Sequence, residues 1–312
     1  IVEEGHQEAV PDEQNLDNLD VVGPQRDDLG DELNSFTWNR IGQGIYKPGI
    51  AYDRENNRIW LSSWSNSYIA KINPANNYSL EHEVDTQGVI GEMTCLNGVL
   101  YAMYEFGLHA FNINDGSSIG NVELSHEMGT IAVASDNERG LLFVISNSNN
   151  DEIHVFQATD NNLYFERIAI LDSWRGFTGR ATVYNIEWVP QHGRGELWIH
   201  TINHVHQIDI NTTNWRPVGL TQHFSPWNNG DYLDALAHNG ENLILSNRNS
   251  TEYVIVDDNT IETPIWLPGV APVEGVTVPD GSSDVFLTFD ATYVEQGQHY
   301  ANLIIASNDP NN

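Results

Sequence analysis

Basic side chains are scarce in this chain. Thirteen Lys and Arg stand against 44 Asp and Glu in 312 residues, a formal net charge of −31. The only lysines are Lys47 and Lys71. Phosphate recognition needs clustered Lys and Arg, so the charge balance excludes nucleic acid as a partner and disfavours an anionic membrane. It favours solubility and cation binding, and it suits a protein facing high salt, where screening weakens self-repulsion. Cysteine is almost absent too. Cys95 is the only one, so no internal disulfide can form. It lies in the apolar run MTCL and reads as a small core residue rather than a nucleophile. No apolar run approaches the roughly eighteen residues of a membrane span. The chain opens on Ile1 with no initiating Met and no signal-peptide pattern. That opening reads as a processed product, and the expected location is secreted or cell-surface. Phosphate-loop and dinucleotide signatures are missing, as are G-x-S-x-G and any Ser/His/Asp set in a recognisable context.

What the sequence does contain is repetition. Residues 49–73, GIAYDRENNRIWLSSWSNSYIAKIN, read as three short strands separated by Asn/Asp/Ser turns. Copies recur with inner-strand positions at Ile50, Met93, Ile131, Ile186, Leu236 and Val276, at intervals of 38 to 55 residues. Second strands align beside them, and five carry an aromatic at the third place: Trp60, Tyr101, Phe143, Trp198 and Phe286. One aromatic per copy points to packing between sheets rather than to a binding stripe. A single short sheet cannot bury both faces, so copies must stack. Six copies of about four strands predict an all-β, six-bladed β-propeller over residues 34–312. Residues 1–33 are acidic, show no alternation and read as a tail or linker. The stretch FTWNRI (36–41) is a spare strand. It is expected to complete the last blade, closing the ring and removing its free edges.

At the level of this repeat the chain resembles the YVTN/NHL-type propeller superfamily, with its pattern of apolar strand, D-x-x-x-x-aromatic and N-x-I-x-x-I-N/D. The likeness covers roughly residues 36–307. A narrower likeness is to the gluconolactonase-like branch, which holds a divalent cation with Glu, Asn and Asp side chains placed just before inner strands. That resemblance implies a metal set of Glu274 and Asp234, in step with the pattern, and Asn185 and Glu92, each one residue out of step. Blade one offers Pro48 at the matching place and no ligand. Calcium or another divalent cation is the cofactor this implies. Three carboxylates and one amide carbonyl suit a hard ion that takes several oxygens.

Two further groups stand out. His200, His204 and His206 crowd the stretch ELWIHTINHVHQIDI, but His200 falls on the preceding strand and no Cys or carboxylate partner stands at zinc spacing. These read as structural histidines. Loops on one face of the ring bring together Trp64, Phe106, Trp174, Arg175, His204, Trp227, Arg248 and Asp290. Exposed aromatics amid Asn, Asp and Arg suit a carbohydrate or a protein ligand. Against this, Trp174 and Trp227 can fold back as local plugs. Three functions follow as expectations. The first is a binding or scaffold module acting through that loop face. The second is a metal-dependent hydrolase or lactonase with its ion in the central channel. The third is a structural subunit that self-assembles on a surface through its tail or a blade edge.

Overall fold

The computed structural model describes residues 29–38, 49–63, 67–88, 90–104, 107–126, 129–146, 152–159, 162–172, 174–178, 183–192, 195–201, 204–226, 233–247, 252–258, 269–271 and 284–289. Regular structure there is almost wholly β. The chain begins with β1 (Glu32–Thr37) and then lays down four antiparallel sheets in sequence. The first is β2 (Ile50–Asp53), β3 (Arg58–Ser63), β4 (Tyr68–Asn73) and β5 (Ser79–Asp85). The second is β6 (Ile90–Leu96), β7 (Val99–Tyr104), β8 (Gly107–Asn112) and β9 (Ser118–Leu124). The third is β10 (Thr130–Asp136), β11 (Leu141–Ser146), β12 (Ile153–Ala158) and β13 (Tyr164–Leu171). The fourth is β14 (Val183–Trp188), β15 (Leu197–Thr201), β16 (Val205–Asn211) and β17 (Arg216–Phe224). A fifth sheet has β18 (Leu233–His238), β19 (Leu243–Asn247) and β20 (Glu252–Val256), and takes β1 as its outer strand. Finally β21 (Gly269–Ala271) and β22 (Phe286–Thr288) form a separate two-stranded sheet.

The repeated Asp of the sequence signature has a local cause. It ends the inner strand, and its carboxylate holds the following turn. Asp53 Oδ1 accepts from Asn56 N at 3.2 Å, and Asp136 Oδ1 accepts from Glu138 N and Arg139 N at 3.0 and 3.1 Å. In the fifth sheet Asn239 Oδ1 does the same for Glu241 N and Asn242 N. The β6–β7 hairpin uses Asn97 and Gly98, both at positive φ (50° and 72°), which is the turn whose twist matches its flanking strands.

Each inner strand packs against the next: β2 on β6, β6 on β10, β10 on β14, β14 on β18, and β18 back on β2. Apolar cores fill all five gaps between neighbouring sheets. The repeated aromatics sit in them as expected. Trp60, Tyr101, Phe143 and Trp198 are all fully buried, each contributing roughly 1.5–3 kcal/mol of burial. Inner strands approach closely enough that a Cβ on Gly49 would lie 2.2 Å from the Gly91 carbonyl oxygen, so only glycine fits there. The outer strands of the second and third sheets also pair, in parallel, at Tyr164–Glu123 and Phe165–Leu124.

Two expectations are corrected. The strand at residues 36–41 was expected to close a sixth blade. Instead β1 pairs with β20 of the fifth sheet, Phe36 opposite Tyr253. The reason is aromatic packing. Phe36 stacks on Tyr253 (5.1 Å between centroids) and on Tyr78 of the first sheet (4.5 Å), while Trp38 Nε1 donates to Glu83 of β5 at 3.0 Å. The strand thus rivets the fifth sheet to the first. Most of the sixth repeat, including Val276, lies outside the described residues. In the third sheet the position equivalent to Met93 and Ile186 is Val133, not Ile131, because Ile131 is the extra residue of a bulge. Also, β1 begins at Glu32, just inside the segment read as tail, and Gly30 N donates to Asp257 O at 2.7 Å.

Candidate functional site

Inner strands of four sheets carry a β-bulge near their start. The register shifts between Ile90 and Met93, Thr130 and Ala132, Val183 and Asn185, and Leu233 and Ala235. A bulge inserts an extra residue and re-aims the side chains beside it. In three of the four, the polar residues at or next to it are the ones the metal resemblance singled out: Glu92, Asn185 and Asp234. All three are buried, at 0%, 1% and 0% exposure.

Glu92 and Asn185 meet. Asn185 Nδ2 donates to Glu92 Oε2 at 2.6 Å and to the Leu236 carbonyl at 3.2 Å, while Asn185 Oδ1 accepts from Ile186 N at 2.6 Å. The second and fourth sheets are not neighbours, so this bond spans the ring axis. Asp234 lies in the same region. Burial raises the Tyr253 hydroxyl well above its ordinary pKa, and the charges of both Glu92 and Asp234 push it further up. Glu274, the fourth residue of the expected set, lies outside the described residues.

A second polar zone lies farther along the same inner strands. Glu187 is half-buried, and the protein packed around its carboxyl raises its pKa to about 8, with the Arg54 charge opposing. Burial also drives the Cys95 thiol well above its usual range, helped by the charges of Asp53 and Glu187. Cys95 is buried and inert, as its sequence context implies. Groups from the first, second and fourth sheets influence one another here, which the convergence of inner strands makes possible.

Sequence reasoning missed a third group. His192, His238 and Asp258 are all buried and meet between the fourth and fifth sheets. His238 Nε2 lies 3.0 Å from Asp258 Oδ2, and His192 Nε2 lies 3.6 Å from the same oxygen. Their spacing would suit a metal, but their hydrogen bonds do not. His192 Nδ1 accepts from Trp198 Nε1 at 2.9 Å and from Gln207 Nε2 at 3.3 Å, and His238 Nδ1 accepts from Gly240 N at 3.1 Å. Indole and backbone N–H groups only donate. Each ring therefore carries its proton on Nε2, facing Asp258, whereas a metal-bound ring donates from its far nitrogen. The trio is a neutral-His, carboxylate clasp between sheets. Its members come from three separate stretches, so no local spacing announces it.

The loop-face set is only partly described. Trp64, Phe106, Trp227, Arg248 and Asp290 lie outside the described residues. Trp174 is fully buried, in the core between the third and fourth sheets, and Arg175 covers its ring at 5.3 Å. Of the two readings that the sequence left open for it, ligand contact or local plug, this burial fits the plug, because its large apolar ring gains more from that core than from solvent. His204 is exposed. His200 is fully buried, opposite Asn185 in the β14–β15 ladder.

No protein-family model matches the chain, and no curated protein matches it. Solved structures do resemble it. The glutaminyl cyclase of Myxococcus xanthus is 8% identical, with a TM-score of 0.51, over 74% of this chain and 97% of that one. A luciferin-regenerating enzyme is also 8% identical, with a TM-score of 0.46 over the same shares. The Pan2 WD40 domain of Neurospora crassa is 12% identical, with a TM-score of 0.37, over 69% of this chain and 64% of that domain. At these identities the likeness speaks for the fold alone. Together with the ring of four-stranded sheets, the likeness at a TM-score of 0.51 identifies the architecture of this chain as a β-propeller.

Proposed function

We propose that the channel end marked by Glu92, Asn185 and Asp234 holds a divalent cation of the calcium type, and that the protein is a cation-dependent hydrolase acting on a lactone or related ester. The observation that carries this reading is the Glu92–Asn185 bond across the ring axis, with Asp234 buried nearby. The donor set fits a hard cation. With Asn185 Oδ1 held by Ile186 N, an ion displacing the Asn185 amide hydrogens would meet Glu92 Oε2 and the Leu236 carbonyl, beside the buried Asp234 carboxylate. Several oxygens would then converge, as such an ion requires. Once bound, the ion supplies polarisation of a substrate carbonyl. In this scheme Glu92 and Asn185 hold and orient, and Asp234 takes the proton of the attacking water. This reading keeps the chain beside the gluconolactonase-like branch of the YVTN/NHL-type propellers.

Thermal melting in calcium and in chelator, at constant ionic strength, tests it. Calcium at a hundred times its Kd should stabilise the fold by about 2.7 kcal/mol. Glu92→Gln combined with Asp234→Asn should erase the shift, and chelator should erase lactone hydrolysis. Identical melting of the parent protein in both buffers overturns the reading.

A second reading, self-assembly through blade edges, is favoured by apolar side chains on the outer strands. Leu80 on β5, Ile119 on β9, Ile168 on β13 and Val218 on β17 are 50%, 47%, 50% and 62% exposed. Mass measurement in solution distinguishes it.

A further inference from the structure

We infer that the fourth sheet carries a second metal site, separate from the channel, in which His204, His206 and His223 take a borderline transition-metal dication such as Zn2+. His206 and His223 are directly opposite each other in the β16–β17 ladder. Thr201 N donates to His204 O at 2.9 Å, so His204 extends the β15–β16 hairpin ladder by one pair. It therefore shares a sheet face with His206, two residues on. The three rings cluster accordingly. Centroids are 5.9 Å apart for His204–His206, 5.9 Å for His206–His223 and 6.4 Å for His204–His223.

Two imidazoles sharing one tetrahedral metal at about 2.0–2.1 Å would have centroids roughly 5 Å apart. The observed rings stand about an ångström wider than that. Ion binding would therefore require His204 and His223 to rotate inward. Both are exposed, and among the described residues neither side chain has a hydrogen bond to break. His206 is the fixed member. It is 8% exposed, its Nε2 lies 3.4 Å from Thr201 Oγ1, and its buried Nδ1 has no hydrogen-bond partner among the described residues. Imidazole selects zinc or copper over calcium, so this site and the channel would not compete for one ion. In the sequence His200 stood beside His204 and His206, and all three read as structural. The ladder replaces His200 with His223, which arrives from the far side of the next hairpin.

Zinc titration of the full chain by calorimetry, with calcium saturating, tests the site. One Zn2+ per chain is expected, and Co2+ in its place should give visible absorption bands from nitrogen ligation. His204→Ala with His223→Ala should weaken zinc binding more than about tenfold, the lower bound for losing even an outer-shell partner. Both positions are exposed, so the calcium-dependent melting should stay that of the parent. Absence of zinc uptake by the parent, or unchanged uptake by the double variant, overturns the site. Loss of the calcium response alone would count only against the channel reading.

Discussion

Glu187 shows how a single side chain couples the interior of the ring to pH. Its folded pKa of about 8 lies above the ordinary 4.5, so the folded state binds its proton more tightly than the unfolded chain does. The contribution is complete below 4.5 and is lost as pH rises towards 8. Glu187→Gln should therefore flatten the decline in stability across that window. Urea midpoints at about pH 5 and about pH 9 check it, and the variant should gain on the parent only at the higher value. His206 acts at the other end. Its folded pKa of about 4 lies below 6.5, so its contribution is present above 6.5 and is lost as pH falls towards 4. At this scale the sequence was informative where side chains sit at a repeated place. Glu92 and Asn185 come one residue after the place marked by Asp234, and the bulges are what allow both steps to serve one region. It was silent about His192, His238 and Asp258, which the chain scatters over three elements, and it gave His223 no weight because cross-strand pairing cannot be read from local spacing.

Among elements, β1 carries the clearest test. Phe36 is buried between Tyr253 and Tyr78, and its strand supplies the outer edge of the fifth sheet. Phe36→Ala removes both stacking contacts and leaves a cavity at the closing seam. A loss of about 3–5 kcal/mol is expected, read as a lower urea midpoint. Hydrogen exchange should quicken first in β20 and then across the seam with the first sheet. Exchange confined to β1 itself would show that the seam holds without it. The strands themselves were legible from period-two alternation, the Asp-held turns and one aromatic per copy. The partner of β1 was not. A short strand such as ELNSFT can pair through its backbone with any exposed edge, and the choice is made by rings far apart in the chain.

For the whole molecule, charge is the dominant feature. The whole chain carries 44 acidic and 13 basic residues, and folding concentrates repulsion that the unfolded chain spreads out. Salt should relieve it, since at 1 M the Debye length falls to about 3 Å. The melting temperature is expected to rise steadily from low ionic strength to about 1 M sodium chloride, in chelator so that no specific ion contributes. A flat response would mean that the acidic groups are already locally compensated. The pairing of Thr37 with Glu252 sets a further constraint, one of time rather than of energy. During synthesis the opening strand leaves the ribosome long before its partner exists. It must wait, aromatic side chains uncovered, while four sheets assemble behind it. The acidic residues just ahead of it would keep such waiting chains apart from one another until the last segment arrives and the circle locks.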